Sequence, residues 1–283
     1  MPTFTNQATL SYNNITVNSN IVSGEIAESL LVEKTALSDT YGLNDKLTYA
    51  VSIRNTGNTS YTYSISDDLG AYTFNELNLV PLTYVAGSIQ LFINGVLQPA
   101  PIVSTGAPLE AGNIVIPAGG NAVILYSVET NEFTPYASGG SIVNTVDVET
   151  DGPCSGSAEA TVTPAAEPNL TISKALSPCQ LDNCTQPIAY TFTINNFGPA
   201  AAVSTDNAVI TDTFDPPLNI TSVTFNGENW TEGVNYTYDE TTGEFATIAG
   251  EITVPAATYT QDAETGEWTA VPGVSTLVVN GNF

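Results

Sequence analysis

Two of the few basic side chains recur at matched positions of an internal repeat, each with a matched aspartate. The chain has only 4 Lys and Arg residues against 29 Asp and Glu residues, and it has no histidine. The repeat aligns Lys34 with Lys174 and Asp67 with Asp212. Burial lowers the pKa of a lysine, so that the neutral amine can attack an amide carbon while a neighbouring carboxyl moves the proton. These residues are therefore candidates for chemistry that a buried amine and a neighbouring carboxyl can perform together.

The net charge of −25 and the absence of histidine exclude several classes of function. Binding to nucleic acid or to an anionic membrane surface needs a basic surface, which four cations cannot form. Without histidine, neither a Ser-His-Asp or Cys-His nucleophile nor a zinc site of the usual His/Cys spacing is possible. The sequence contains no run of about 18 apolar residues, so we expect no helix that inserts into a membrane. We therefore expect no turnover enzyme, no metal and no cofactor.

The internal repeat divides the chain into two similar parts. Residues 47–57 align with residues 188–198, and each copy has short alternating strands separated by Asn, Gly and Pro turns. Such a pattern predicts an all-β chain of two tandem immunoglobulin-like β-sandwiches, at residues 28–166 and 167–283. The second copy carries an extra hairpin at residues 258–271.

Three motifs recur in the same order in both copies. They are a lysine after a short strand, the pattern Tyr-x-x-x-Ile-x-Asn-x-Gly in residues 49–57 and again in residues 190–198, and an aspartate before the next loop. The set resembles the bacterial "domain of unknown function 11" repeat. That resemblance implies a tandem module of a bacterial surface protein, located outside the cell on a cell or spore surface.

The second copy lacks its last two strands, and matching strands occur at the other end of the chain. In the first copy these strands are residues 142–149 and 157–162, and residues 4–12 and 15–26 match them. A sandwich without these strands exposes unpaired backbone groups and an apolar cleft. We expect another segment to cover that cleft.

Residues 1–27 are predicted to be a donor tail that completes the second sandwich of another subunit. For closure within one chain, the tail would have to span the whole first sandwich. Head-to-tail docking by strand addition, as in donor-strand complementation between pilins, produces a filament instead. The apolar tail residues alternate as a docking strand requires. They are Phe4, Ala8, Leu10, Tyr12, Ile15, Val17 and Ile21.

Asparagines complete the two lysine–aspartate pairs, because the tail aligns Asn6 with Asn144 of the first sandwich. A lysine on a first strand, an asparagine near the last and an acid between them resemble the self-forming isopeptide bonds of Gram-positive pilin and collagen-adhesin domains. The alternative is that the lysines form plain salt bridges and the asparagines only begin strands. The implied bonds are Lys34–Asn144 within a chain, with Asp67 as the acid, and Lys174–Asn6 between subunits, with Asp212 as the acid.

The three cysteines leave two disulfide patterns open. Cys154 is expected at one end of the first sandwich, and Cys179 and Cys184 at the far end of the second, too distant for a bridge across one chain. Head-to-tail stacking would bring these ends together and permit a bridge from Cys154 to Cys179 or Cys184 of the neighbour. The alternative is a local Cys179–Cys184 bridge with a free Cys154.

These features predict a self-assembling structural subunit of an extracellular filament, such as a pilus or spore appendage. The filament would be a homopolymer of this chain. The alternative function is a ligand-binding adhesin or surface-layer fragment cut from a tandem array. The sequence does not identify an anchor or tip protein. Residues 1–25 lack the basic and apolar regions of a signal peptide, so removal of a leader and synthesis without one both stay open.

Overall fold

The computed structural model describes residues 3–25, 30–104, 106–152, 154–180 and 186–283. Within these residues the regular structure consists of β-strands and one short 3₁₀ turn at Ser204–Asp206. Short segments of alternating, β-branched and aromatic residues favour a pleated surface with one buried face. The prediction of an all-β chain built from antiparallel sheets is confirmed.

The strands are numbered in chain order and have the following bounds. They are β1 (Thr3–Asn6), β2 (Thr9–Tyr12), β3 (Ile15–Asn18), β4 (Val22–Glu25), β5 (Leu30–Ala36), β6 (Thr40–Tyr41), β7 (Lys46–Asn55), β8 (Tyr61–Asp67), β9 (Tyr72–Phe74), β10 (Leu77–Leu79), β11 (Leu82–Tyr84), β12 (Gln90–Ile93), β13 (Val96–Gln98), β14 (Leu109–Ile116), β15 (Asn121–Thr130), β16 (Ile142–Thr150), β17 (Gly156–Pro164), β18 (Leu170–Ser177), β19 (Ile188–Asn196), β20 (Thr211–Thr213), β21 (Asn219–Phe225), β22 (Glu228–Trp230), β23 (Tyr236–Tyr238), β24 (Glu244–Thr247), β25 (Thr258–Gln261), β26 (Trp268–Val271) and β27 (Gly273–Asn282).

Two facing sheets between β5 and β17, which we call the first sandwich, enclose the larger core. One sheet has the order β13-β12-β15-β7-β5, with β11 paired to β15, and the other has the order β14-β8-β16-β17-β6. At the centre, β7 and β15 pair in antiparallel register, and every second side chain points inward. Tyr49, Val51 and Ile53 on β7 are each 0% exposed.

Strands β18 to β27 form the second sandwich, which has its own apolar core. Its larger sheet has the order β18-β19-β27-β21-β22, and in the described part of the chain the facing sheet has three strands in the order β20-β24-β23. Phe192, Phe245 and Leu277 lie in this core. The division of the chain at residues 27/28 and 166/167 stays a prediction, and the first of these boundaries lies outside the described residues.

The ladders give the equivalence of the two lysines. Lys34 lies opposite Val51 in the β5–β7 ladder, and Lys174 lies opposite Phe192 in the β18–β19 ladder. Residues 51 and 192 are matched positions of the repeat. The two lysines therefore occupy the same place in the two sandwiches.

The extra hairpin of the second sandwich, β25 and β26, packs on the first sandwich. The Tyr259 ring stacks on Tyr136 with 6.0 Å between the ring centres. The backbone N–H of Trp268 donates to the carbonyl of Glu132 at 2.7 Å, and the Trp268 side chain packs against the first core. These contacts fix the position of one sandwich against the other.

Residues 3–25 form a separate exposed hairpin, which we call the N-terminal hairpin. β1 pairs with β4, and β2 pairs with β3. Between the two ladders, the backbone N–H of Ser19 donates to the carbonyl of Ala8 at 2.8 Å. Every residue from 4 to 23 is exposed. The hairpin therefore holds its strands in pairing geometry without covering their apolar side chains.

Candidate functional site

Lys34 and Asp67 form a buried ion pair between the sheets of the first sandwich. Lys34 lies on β5, which packs against β17, and Asp67 is the last residue of β8. Lys34 Nζ lies 2.7 Å from Asp67 Oδ2, and both side chains are 0% exposed. The backbone N–H of Leu69 donates to Asp67 Oδ1 at 3.1 Å. The carboxylate is therefore held from two sides.

Asn144 is connected to this pair through Tyr126. Asn144 lies on β16, next to β8 in the sheet, and is 0% exposed. Its Nδ2 donates to the Tyr126 hydroxyl at 3.4 Å, and that hydroxyl donates to Asp67 Oδ2. The structure thus places Lys34, Asp67 and Asn144 in one buried cluster and adds Tyr126 between two of them.

Burial determines the protonation of this cluster. It lowers the pKa of Lys34 below its ordinary value of 10.5, and the charge of Asp67 opposes that shift. Burial also raises the pKa of Tyr126 well above 10, and the charge of Asp67 adds to that shift. The amine therefore gives up its proton more readily than a solvated lysine does, while the phenol stays protonated.

Two polar atoms of the cluster have no hydrogen-bond partner among the described residues. They are Asn144 Oδ1 and the Tyr49 hydroxyl. Lys34 Nζ lies 5.1 Å from the centre of the Tyr49 ring. A buried polar atom without a partner costs about 1–3 kcal/mol. The Asn144 amide therefore bonds through its nitrogen but not through its oxygen, whereas most buried polar side-chain atoms have a hydrogen-bond partner.

Tyr126 was not singled out by the sequence analysis. It lies on β15 at an inward-facing position, where an aromatic residue is ordinarily part of the core. The sequence feature that could have identified Tyr126 is its hydroxyl group at an inward position of β15. The neighbouring inward residues of that strand, Ala122, Ile124 and Val128, are apolar and lie in the same core.

Lys174 and Asp212 form the corresponding pair in the second sandwich, but they are partly open to solvent. The carboxylate Oδ2 accepts a hydrogen bond from Lys174 Nζ, and the side chains are 38% and 18% exposed. Lys174 Nζ lies 4.7 Å from the centre of the Tyr190 ring and 5.4 Å from that of Phe214. All residues of β18 are exposed, whereas β5 alternates between buried and exposed residues.

An open sheet edge explains this exposure. In the first sandwich β8 lies between β14 and β16, and β17 follows β16. In the second sandwich β20 corresponds to β8 and pairs with β24 alone, among the described residues. The larger sheet is therefore uncovered over β18, where the first sandwich has β17.

The uncovered region is an apolar groove of about 170 Å³. Ile172 and Val209 line it and are 56% and 47% exposed. Leu170, Ile210 and Ile252 also line it. An exposed apolar groove beside an unpaired strand edge is a surface suited to strand addition.

The other candidate residues lie apart from this region or outside the described residues. Asn6 lies in the N-terminal hairpin, opposite Val22, and its predicted contact with Lys174 of another subunit stays a prediction. Cys154 is partly buried against the first core, Cys179 is exposed, and Cys184 lies outside the described residues. Both disulfide patterns therefore stay predictions.

Among the described residues, no group of three or more Cys, Asp and Glu side chains has the arrangement of a metal site. No helix in the described part of the chain is long and apolar enough to span a bilayer.

Comparison with known proteins gives a likeness in fold only. No protein-family model and no curated protein match the chain, so the resemblance to the repeat of unknown function stays a prediction. The pilus backbone RrgB of Streptococcus pneumoniae is 11% identical, with a TM-score of 0.36 over 87% of this chain and 55% of that chain. This chain thus spans about half the length of that protein.

Two further pilins give structural matches with similarly low scores. The major pilin subunit BcpA of Bacillus cereus is 14% identical, with a TM-score of 0.37 over 96% of this chain and 73% of that chain. A C-terminal fragment of the major pilin GBS80 of Streptococcus agalactiae is 10% identical, with a TM-score of 0.35 over 87% of this chain and 91% of that fragment. Similarity at this level carries no inference about function.

Proposed function

We propose that the chain is a structural subunit of an extracellular filament that grows head to tail. The N-terminal hairpin of one copy docks on the open edge of β20 in the next copy and supplies the two strands that the second sandwich lacks. One observation carries the proposal: the β1–β4 ladder of the N-terminal hairpin has the same pairing register as the matched end of the β16–β17 hairpin of the first sandwich.

The register agrees at three successive pairs. Asn144 lies opposite Ala160 in the β16–β17 ladder, and Asn6 lies opposite Val22 in the β1–β4 ladder. Each residue of the second pair therefore lies 138 residues before its counterpart in the first pair. The same shift relates Val143–Thr161 to the pair of residues 5 and 23, and Ile142–Val162 to the pair of residues 4 and 24. The β1–β4 part of the hairpin can therefore replace the matched part of β16–β17 in the same pleat.

The side chains follow the same alternation. On β16 the residues at 142, 144, 146 and 148 point into the first core and are at most 1% exposed. The N-terminal hairpin places Phe4, Asn6, Ala8 and Leu10 at these positions. Phe4 and Leu10 are 56% and 63% exposed in the free chain. Covering each of them stabilises the joint by about 1.5–3 kcal/mol.

The acceptor groove has a matching character. It is apolar along Ile172 and Val209, and the partly exposed Lys174–Asp212 pair lies further along β18 and β20, at the place of the Lys34–Asp67 pair in the first sandwich. Asn6 is the donor residue that reaches this pair. A neutral amide satisfies both charges without adding a third. The net charge of −25 keeps finished filaments apart in solution.

We further propose that the two lysine sites form isopeptide bonds. Lys34 Nζ replaces the amide nitrogen on Asn144 Cγ within one chain, and one ammonia leaves. Lys174 and Asn6 of the neighbouring copy react in the same way at the joint. The buried cluster around Lys34 supports the first bond, because the amine, the carboxyl and an incompletely bonded amide lie together.

Electron microscopy of the purified chain tests the filament. We expect filaments from the intact 283-residue chain and single particles from a chain that lacks residues 3–25. Single particles from the intact chain would contradict the proposal and would favour a ligand-binding or surface-layer module instead. Filaments that form equally well without residues 3–25 would show that another surface makes the joint.

A further inference from the structure

Tyr126 is placed to act on the leaving group of the proposed Lys34–Asn144 reaction. We infer that the Tyr126 hydroxyl is the catalytic acid that delivers a proton to the departing amide nitrogen of Asn144. The inference rests on the proposed isopeptide bond of the first sandwich. It adds a residue to the lysine, acid and asparagine that the sequence analysis singled out.

The contacts form one continuous path for a proton. Lys34 Nζ donates to Asp67 Oδ2 at 2.7 Å, and the Tyr126 hydroxyl donates to the same oxygen. Asn144 Nδ2 lies 3.4 Å from the Tyr126 oxygen. No residue is needed between these four groups, since each touches the next. Asp67 makes no direct hydrogen bond with the Asn144 amide among the described residues, and the Tyr126 hydroxyl connects the two.

The proton movements balance with the groups present. Lys34 first gives a proton to Asp67, and its neutral amine attacks Asn144 Cγ. Asp67 then passes the proton to the Tyr126 oxygen while the Tyr126 hydroxyl gives its own proton to the amide nitrogen. The Cγ–Nδ2 bond breaks and ammonia leaves. The new amide nitrogen loses its extra proton to Asp67, which ends protonated and uncharged.

The environment keeps Tyr126 fit for this role. Burial and the neighbouring Asp67 raise the pKa of Tyr126, so the hydroxyl carries its proton at neutral pH and acts as a relay that gains a proton from Asp67 as it gives one up, without forming a phenolate. It is 0% exposed, which excludes water as a competing acid. A phenol of this kind returns to its starting state after the transfer and is not consumed.

The second sandwich lacks this hydroxyl. Tyr126 lies opposite Tyr49 in the β7–β15 ladder, and Val279 lies opposite Tyr190 in the β19–β27 ladder. Tyr49 and Tyr190 are matched residues of the repeat, so Val279 occupies the place of Tyr126. The bond between Lys174 and Asn6 at the joint therefore forms more slowly than the bond within the first sandwich. Subunits would dock first and become locked afterwards.

Refolding kinetics test the role of Tyr126. The chain is recovered unfolded from inclusion bodies and diluted into buffer, and the loss of ammonia is followed by intact mass. In wild type we expect rapid loss of one ammonia, which Lys34→Arg abolishes. Tyr126→Phe should slow the loss about 100-fold, the usual contribution of a positioned acid. Circular dichroism confirms that each variant refolds at the wild-type rate.

Tyr41→Phe is the matched control, because it also removes a buried hydroxyl from the first core, one that donates to the Pro135 carbonyl and not to the cluster. We expect it to lose ammonia at the wild-type rate. Equal rates in wild type and Tyr126→Phe, or slowing in Tyr41→Phe alone, overturn the role of Tyr126 and leave the isopeptide bond intact. An unchanged wild-type mass overturns the bond itself and the role of Tyr126 with it.

Discussion

Lys34 and Lys174 occupy the same place in two repeated sandwiches and each pairs with the matched aspartate, yet Lys34 is buried and Lys174 is partly exposed. The Lys34 side chain is 0% exposed and that of Lys174 is 38% exposed. The difference comes from two strands, β16 and β17, which cover the first site and have no counterpart beside β20 among the described residues. In the free N-terminal hairpin, the β1–β4 ladder has the register of those two strands.

The difference in burial predicts a difference in stability. Lys34→Met leaves Asp67 as an unpaired buried charge and should lower the free energy of unfolding by about 3–5 kcal/mol. Lys174→Met removes a partly solvated pair and should change it by at most about 1 kcal/mol. Urea unfolding of the two variants, each carrying Asn144→Ala to prevent the cross-link, measures both effects. Equal losses would contradict the assignment.

Alkaline pH should destabilise the chain through its buried tyrosines. Burial raises the pKa of Tyr126, and also of Tyr41 and Tyr49, above the ordinary value of 10. Above pH 10 the unfolded chain releases these protons while the folded chain retains them. The stability is therefore complete below pH 10 and falls as the pH rises beyond it.

Thermal unfolding between pH 8 and 12 measures this fall. Tyr126→Phe removes one of the raised groups and should make the decline with pH less steep than in wild type. A steeper decline, or a decline that begins well below pH 10, would mean that other groups control alkaline unfolding.

A single charge on the inward face of the hairpin should prevent assembly. Leu10 occupies the position of Val148, which is 0% exposed, so Leu10→Asp would bury a carboxylate in the groove. Ser11→Asp is the matched control, since residue 11 occupies the outward position of Glu149. We expect filaments from Ser11→Asp only, by negative-stain microscopy. Similar behaviour of the two variants would contradict the prediction that Leu10 faces the groove and Ser11 faces outward.

Donor and acceptor defects should complement each other in a mixture. Ile172→Asp places a charge in the groove at a residue that is 56% exposed, so the fold tolerates it. Neither Leu10→Asp nor Ile172→Asp should assemble alone. In a mixture one joint can still form, because the unaltered hairpin of an Ile172→Asp chain can dock in the unaltered groove of a Leu10→Asp chain. Sedimentation should give a heterodimer and nothing longer. Long filaments in the mixture would contradict a single type of joint.

The sequence predicted the positions that recur and missed those that do not. The matched lysines and aspartates were recognisable because the ladders preserve their spacing in both copies. Tyr126 has no counterpart in the second copy, where Val279 stands, so the repeat could not reveal it. The hairpin was expected as two strands, but its ladder slips between Asn6–Val22 and Thr9–Asn18 and divides it into four.

Disulfide trapping between two separate chains tests the central claim most directly. In the first sandwich Asp147 of β16 lies opposite Ser66 of β8, and the equivalent pair at the joint is Thr9 with Thr211. Opposite residues of an antiparallel pair are within disulfide reach, whereas a residue two positions further along is not. In a background with the native cysteines replaced by serine, Thr9→Cys and Thr211→Cys chains should give a covalent dimer on mild oxidation, and Ser11→Cys with Thr211→Cys should give little. No dimer from the first mixture, or equal yields from both, would contradict docking of the hairpin on β20.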